Sequence, residues 1–165
     1  MADGLARTPA DEISKVIKRE GPETNDPVDK GGRTKYGISE ATNPDLWKDG
    51  PPTEAQSRER YEQRYVKGPR FDQIKDSRLQ AQLIDFGVNS GPMVAIKKLQ
   101  EILHVPVDGI LGPQTLVLAN AGQSADTNNK LVAARVKMIG RIVQNNPSQL
   151  KFLSGWLNRA LEFLV

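Results

Sequence analysis

Apolar residues recur every three to four positions, the spacing of one helix face, along most of the 165-residue chain. Short clusters of Gly, Pro and Asn interrupt this pattern, at 68–69, 89–92 and 145–147 for example. The spacing predicts helices over about 53–66, 77–88, 93–103, 113–120, 130–144 and 148–164, with a polar break over 122–129. The chain is therefore predicted to form a mainly α-helical domain with several short connections.

The first helix carries its own start and stop signals. Thr8 is a good N-cap residue, Pro9 suits the first helical position, and Asp11 stands where an acidic capping-box partner belongs. Gly21 and the proline after it end the helix. Its apolar stripe consists of Ile13, Val16 and Ile17.

Glu20 is the next position on that apolar stripe. Burial of its carboxyl group and the negative end of the helix both favour the protonated form, which raises the pKa. A protonated carboxyl group near neutral pH is what a general acid requires. The alternative is a frayed helix end, with Glu20 in solvent or paired with Lys18 or Arg33.

The loop that follows is rich in polar and turn residues, and its end reads as a small hairpin. Glycoside hydrolysis needs a protonated acid and, opposite it, a carboxylate or a positioned water. Asp29, across a turn from Glu20, suits the second role, and Thr34 can hold a water. By itself this Glu-x8-Asp-x4-Thr spacing is a weak signal, because it arises by chance in many chains.

The stretch REGPETNDPVDKGGRTKYGIS, residues 19–39, is far more specific. It resembles the signature of the glycoside hydrolase 108 family, the phage and prophage lysozymes that act as N-acetylmuramidases. One departure is Pro22-Glu23, where the family usually has a second glycine and an aromatic residue. The matching residues are Glu20-Gly21, Asn25-Asp26-Pro27, Asp29, Gly31-Gly32, Thr34, Tyr36 and Gly37-Ile38-Ser39.

The resemblance implies a lysozyme-like fold, in which a small N-terminal lobe with an irregular hairpin packs on a helical bundle. It also implies an endolysin that hydrolyses the β-1,4 bond between N-acetylmuramic acid and N-acetylglucosamine without a cofactor or metal. The catalytic residues would be Glu20, as the acid, with Asp29 and Thr34. The substrate-binding residues would be Tyr36, Asn89 and Asp26.

A second resemblance covers FGVNSGPMVAIKKLQEILHVPVDGILGPQTLVLAN, residues 86–120, which is similar to the predicted peptidoglycan-binding region of the same family. We therefore predict a catalytic region over 1–91 and a peptidoglycan-binding region over 92–165, packed as one unit. The loop DGILGPQT within it has two open interpretations. It either binds a ligand or serves only as a loop-to-helix junction.

The charge distribution suggests partners. From Ser124 onward there are six basic and two acidic residues, which favours an anionic cell envelope, although a solvated helix face would show the same excess. Aromatic residues make up 5% of the chain, too few for a stacking platform, so no nucleic acid partner is expected. The absence of cysteine excludes disulfides and thiolate metal sites. We expect a monomer.

Two further expectations concern location and the C-terminus. The N-terminus has no apolar core of signal-peptide length, so we expect the protein to wait in the host cytoplasm until a separate pore-forming protein releases it to the wall. The final helix has a regular leucine stripe that predicts a core role, with membrane insertion as the alternative. Another alternative for the whole chain is a non-catalytic wall-binding or structural module.

Overall fold

A computed structural model describes residues 8–20 and 33–165, and of Arg19 and Glu20 it describes the backbone. The described part is mainly α-helical, as predicted. Its regular elements are α1 Pro9–Glu20, β1 Thr34–Lys35, β2 Ile38–Ser39, α2 Glu54–Glu62, α3 Ser77–Ser90, α4 Pro92–Leu103, α5 Pro113–Ala119, α6 Ser124–Asn145 and α7 Leu153–Leu161. A π-helical turn, Gln63–Lys67, continues α2, and 3-10 turns occupy Phe71–Gln73 and Pro147–Phe152.

Helix α1 begins as its sequence predicts. The backbone N–H of Thr8 donates to Asp11 Oδ2 at 2.9 Å, and the N–H of Asp11 donates to Thr8 Oγ1 at 3.2 Å. Hydrogen bonds from the Thr8 side chain and then its backbone lower the pKa of Asp11. The helix buries Ile13, Val16 and Ile17.

The predicted hairpin is present as strands β1 and β2, which pair antiparallel with Thr34 opposite Ser39. Tyr36 and Gly37 form the two-residue turn with φ of 49° and 73°. Positive φ at both central residues is the geometry that matches the twist of a tight hairpin. Ile38 is buried, and Trp47 Nε1 donates to its carbonyl oxygen at 3.3 Å.

Helix α3 lies at the centre of the molecule and contacts α1, α4 and α6. Its N-cap is Asp76, whose side chain accepts from the N–H of Leu79 at 2.8 Å. A Cβ added at Gly87 would lie 3.3 Å from the Phe71 ring and 3.5 Å from Pro92, so the absent side chain lets α3 approach both. The core cluster includes residues of α1, the hairpin, α3, α4, α5 and α6.

Helix α6 begins earlier than predicted. The polar stretch before residue 130 was expected to be a break, yet α6 starts at Ser124. The reason is tertiary: Asn128 is buried, and its Nδ2 donates to the carbonyl oxygen of Phe163 near the C-terminus. A polar sequence is thereby stabilised as a helix by a partner 35 residues away.

The core role predicted for the C-terminal leucine stripe is only partly observed: its members Leu153 and Leu157 are half-buried, whereas its other three leucines are exposed. Leu150, Leu161 and Leu164 are 61%, 44% and 52% exposed, and the buried residues of this segment are Ala160 and Phe163. The helix predicted over 148–164 also begins later, because the chain forms a 3-10 turn over Pro147–Phe152 before α7 begins at Leu153. A single helical period cannot fit residues 148–164, because the 3-10 turn and α7 have different numbers of residues per turn.

Candidate functional site

The predicted acid, Glu20, is the last residue of α1. Its side chain lies outside what the structure describes, and so do Asp26 and Asp29. Glu20 follows the buried Val16 and Ile17 by four and three residues, which places its Cα on the same face of the helix. The pairing of Glu20 with Asp29 stays a prediction.

Thr34 and Tyr36 belong to the hairpin that follows. Thr34 is half-buried on β1, and Tyr36 packs its ring against the core cluster that also contains Ile13 and Ile38. Lys35 Nζ lies 5.5 Å from the centroid of the Tyr36 ring. The hairpin and the apolar face of α1 are therefore held by one core, against which Tyr36 packs, and Thr34 lies on the same hairpin.

Asn89 lies elsewhere, near the end of α3. It lines a cavity of about 120 Å³ between α3, α6 and the C-terminal helix. Its Nδ2 donates to the carbonyl oxygen of Asp85 in the preceding turn. The cavity is lined by Asn89, Ser90, Arg135, Met138, Ile139, Ile142, Trp156 and Arg159.

A buried ionic cluster lies beside this cavity. Arg135 Nη2 donates to Asp85 Oδ2 at 2.6 Å, and Arg159 Nε donates to Asp85 Oδ1 at 2.7 Å. The side chains of Asp85, Arg135 and Arg159 are 3%, 4% and 19% exposed. The Arg135 guanidinium also lies 5.2 Å from the centroid of the Phe86 ring. These contacts join α3 to α6 and to α7.

The sequence analysis did not single out this cluster. The residue in the sequence that could have indicated this cluster is Asp85, because it interrupts the apolar run of α3 between Ile84 and Phe86. A carboxylate buried on an apolar helix face needs cationic partners, because an unpaired buried charge is strongly unfavourable. The sequence alone does not say which arginines supply them.

Trp156 forms part of the cavity wall. It is half-buried and stacks on Phe152 with ring centroids 5.6 Å apart. It belongs to α7.

The DGILGPQT loop is held from within. The buried side chain of Gln100 makes hydrogen bonds to it through both of its amide atoms. Nε2 donates to Asp108 Oδ1 at 2.7 Å and to the carbonyl oxygen of Ile110 at 3.0 Å. Oε1 accepts from the N–H of Gly109 at 2.8 Å. The side-chain hydrogen bond from Gln100 and then the backbone N–H of Ile110 lower the pKa of Asp108. These contacts favour the interpretation of the loop as a structural junction.

The described residues also bear on metal sites and membrane spans. Within residues 8–20 and 33–165, no three His, Asp or Glu side chains are grouped as metal ligands would be. No helix in this described part is long and apolar enough to span a membrane.

Comparison with known proteins covers nearly the whole chain. Residues 13–91 match the glycosyl hydrolase 108 family, and residues 94–161 match the family described as a predicted peptidoglycan domain. A solved structure, that of Brucella abortus SagA, is similar with a TM-score of 0.66 and 26% sequence identity, over 93% of this chain and 94% of that one. No curated protein sequence matches the chain. Asp85 and Asn89 fall in the first matched region, and Arg135 and Arg159 in the second.

Proposed function

Because residues 13–91 belong to the glycosyl hydrolase 108 family and residues 94–161 to the predicted peptidoglycan domain family, the chain is a glycoside hydrolase acting on peptidoglycan, and we propose that it cleaves the β-1,4 bond between N-acetylmuramic acid and N-acetylglucosamine. In this proposal Glu20 is the general acid. The observation that carries it is the place of Glu20 at the last residue of α1, one turn beyond the buried Val16 and Ile17.

That position supports the chemistry of an acid. The C-terminal end of a helix carries partial negative charge, which disfavours an ionised carboxylate there. Glu20 would hold its proton until the glycosidic oxygen accepts it, and the glycosidic bond would then break with oxocarbenium character at the sugar.

The other predicted residues complete the proposal. Asp29 would stabilise the oxocarbenium-like transition state or, with Thr34, position the attacking water. A carboxylate separation of about 5–5.5 Å leads to retention of configuration and about 6.5–9.5 Å to inversion. Tyr36 and Asp26 would contact the sugar on the hairpin side, where Tyr36 already packs on the core.

The test is mass spectrometry of peptidoglycan digested by the full chain and then reduced with borohydride. We expect reduced N-acetylmuramic acid at the new ends. Reduced N-acetylglucosamine would instead indicate a glucosaminidase, and an anhydro sugar would indicate a transglycosylase. Binding to the wall without new reducing ends would support the alternative of a non-catalytic module.

The role of Glu20 needs its own pair of variants. Glu20→Gln removes the transferable proton and should abolish product release without changing thermal unfolding. Glu101→Gln is the matched control, because Glu101 is an exposed glutamate on α4 that pairs with Lys98 on the surface. Equal digestion by the Glu20→Gln variant and the wild type would remove Glu20 from the mechanism.

We also propose that the enzyme is an endolysin, held in the host cytoplasm until a separate pore-forming protein opens the membrane. The basic excess after Ser124 supports attraction to an anionic envelope once it is released. Fractionation of expressing cells before and after the membrane is permeabilised tests this, and wall-associated protein before permeabilisation would contradict it.

A further inference from the structure

We propose that the cavity beside the ionic cluster binds a free carboxylate of the peptidoglycan peptide stem, with the Arg159 guanidinium as its anchor. The identity of the ligand rests on the proposed function, since peptidoglycan is the source of the carboxylate. The cavity, its charge and the position of Arg159 are independent of the reaction.

The electrostatics of the cavity favour an anion. Its described lining includes two arginines and no acidic side chain. Both guanidinium groups contact the carboxylate of Asp85. Arg135 donates to Oδ2, and Arg159 donates to Oδ1. Two guanidinium groups in a described lining without a carboxylate favour an anion there, and charges in a buried setting are weakly screened.

Arg159 supplies the donor. Its Nε is engaged with Asp85, but its Nη2 is buried and meets no hydrogen-bond acceptor in the described part of the chain. Nη2 is enclosed by protein atoms, but the side chain as a whole is 19% exposed and lines the cavity, so the accessible part of the guanidinium can donate to a carboxylate bound there. The planar guanidinium suits carboxylate oxygens especially well, because it presents several N–H groups in a fixed fork.

The rest of the lining limits the size and polarity of the ligand. The apolar part of the lining consists of Met138, Ile139, Ile142 and Trp156. A cavity of about 120 Å³ is smaller than the roughly 300–1,000 Å³ of pockets that enclose a drug-sized ligand. The space suits a carboxylate on a short alkyl group, such as a C-terminal D-alanine, and not a disaccharide.

Two groups in peptidoglycan have this chemistry: the C-terminal carboxylate of the stem and the lactyl carboxylate of N-acetylmuramic acid. The lactyl carboxylate is consumed in an amide bond wherever a stem is attached, whereas the end of the stem stays free. The stem carboxylate is therefore the ligand we expect.

The site also connects the two matched regions. Asn89 and Ser90 come from the hydrolase region, and Arg159 comes from the region of the predicted peptidoglycan domain. A stem bound here would contact both regions at once, so that substrate recognition does not belong to the second region alone.

The experiment titrates acetyl-D-Ala-D-Ala, its C-terminal carboxamide and N-acetylmuramic acid into the full wild-type chain. The readout is the indole N–H resonance of Trp156 in nitrogen-15 correlation spectra. Trp47, the second tryptophan of the chain, is not among the cavity residues and serves as an internal control. We expect the free dipeptide to shift the Trp156 signal and to bind at least tenfold more tightly than the carboxamide.

Two charge-matched variants locate the site. Arg159→Gln should weaken dipeptide binding at least tenfold, while Arg141→Gln, at an exposed arginine on α6 outside the cavity, should bind like the wild type. Thermal unfolding of both variants checks that they fold. The comparison of acid and amide on the wild type needs no variant, so a misfolded Arg159→Gln protein does not prevent a decision.

Equal binding of acid and amide, a Trp156 signal that none of the probes shifts, or wild-type affinity in a folded Arg159→Gln protein would each overturn the proposal. Tighter binding of N-acetylmuramic acid than of the dipeptide would overturn the stem as the source of the carboxylate. None of these measurements requires cleavage of a glycosidic bond. A failed muramidase digest with intact dipeptide binding would therefore reject the proposed reaction and not this site.

Discussion

Two buried polar clusters, both near the junction of the matched regions, behave differently. Around Gln100, the amide oxygen accepts from Gly109 and the amide nitrogen donates to Asp108 and Ile110, so its polar groups are used within one loop. Around Asp85, two arginines converge on one carboxylate, and Arg159 Nη2 meets no acceptor in the described residues.

The difference separates a structural role from a binding role. A buried network whose members satisfy one another holds the backbone in place and offers nothing to a ligand. A network whose guanidinium groups also line a cavity can do both. The sequence resemblance pointed to the DGILGPQT loop as a possible ligand site, whereas the structure supports the cluster at Asp85 more strongly.

The largest effect is expected at the ionic cluster. Asp85→Asn removes the carboxylate charge that Arg135 and Arg159 both contact, and both cations stay buried. Breaking a buried pair by removing one partner costs about 3–5 kcal/mol. Chemical denaturation should show a loss of that size in the free energy of unfolding. A loss below about 1 kcal/mol would mean that the arginines reach other acceptors.

A smaller loss is expected at the loop cluster. Gln100→Ala leaves the N–H of Gly109 without its acceptor, at a cost of about 1–3 kcal/mol, whereas the carbonyl oxygen of Ile110 keeps the N–H of Gly112 as a donor. Amide exchange at Gly109 should accelerate. Gln144→Ala, at an exposed glutamine of α6, is the control and should stay within about 0.5 kcal/mol of the wild type. Unchanged exchange at Gly109 would contradict the role of Gln100.

The loop cluster should also respond to acid. The folded-state pKa of Asp108 lies below its usual 3.8, because the Gln100 side chain and then the Ile110 N–H donate to the carboxylate. The stabilisation is therefore complete above pH 3.8 and is lost as the pH falls through the folded-state pKa. The difference in melting temperature between the wild type and Asp108→Asn should shrink below pH 3.8. A constant difference from neutral pH to pH 2 would contradict this.

The smallest effect is expected from charge that lies outside both clusters. Arg141→Gln makes the same change of charge on α6 as Arg135→Gln would, but at an exposed position. Its free energy of unfolding should change by less than about 0.5 kcal/mol. A larger loss would show that the positive charge of α6 matters as a whole, and not the placement of Arg135 against Asp85.

Much of the fold could be predicted because its signals are local. The Thr8 cap and its Asp11 partner lie three residues apart, and the Tyr36-Gly37 turn needs only the two residues that adopt positive φ. The start of α6 and the exposure of Leu161 could not be predicted in this way. They depend on Asn128 and Phe163, which meet only when the C-terminus packs on α6.

The candidate sites divide in the same manner. The resemblance of residues 19–39 named Glu20, Asp29 and Thr34 without any structure, and their roles stay proposals. Asn89 was also named from sequence, but the structure places it beside Arg159 and away from the hairpin.

By itself the sequence determined the start of α1, the hairpin turn and the family resemblance, because each is encoded by residues close to one another in the chain. Only the tertiary structure decided which charges are buried together. Asp85 meets Arg135 and Arg159 across 50 and 74 residues of chain, and no local pattern records that contact. Burial makes a charge costly unless it is paired, so the identity of its partners is a property of the packed molecule.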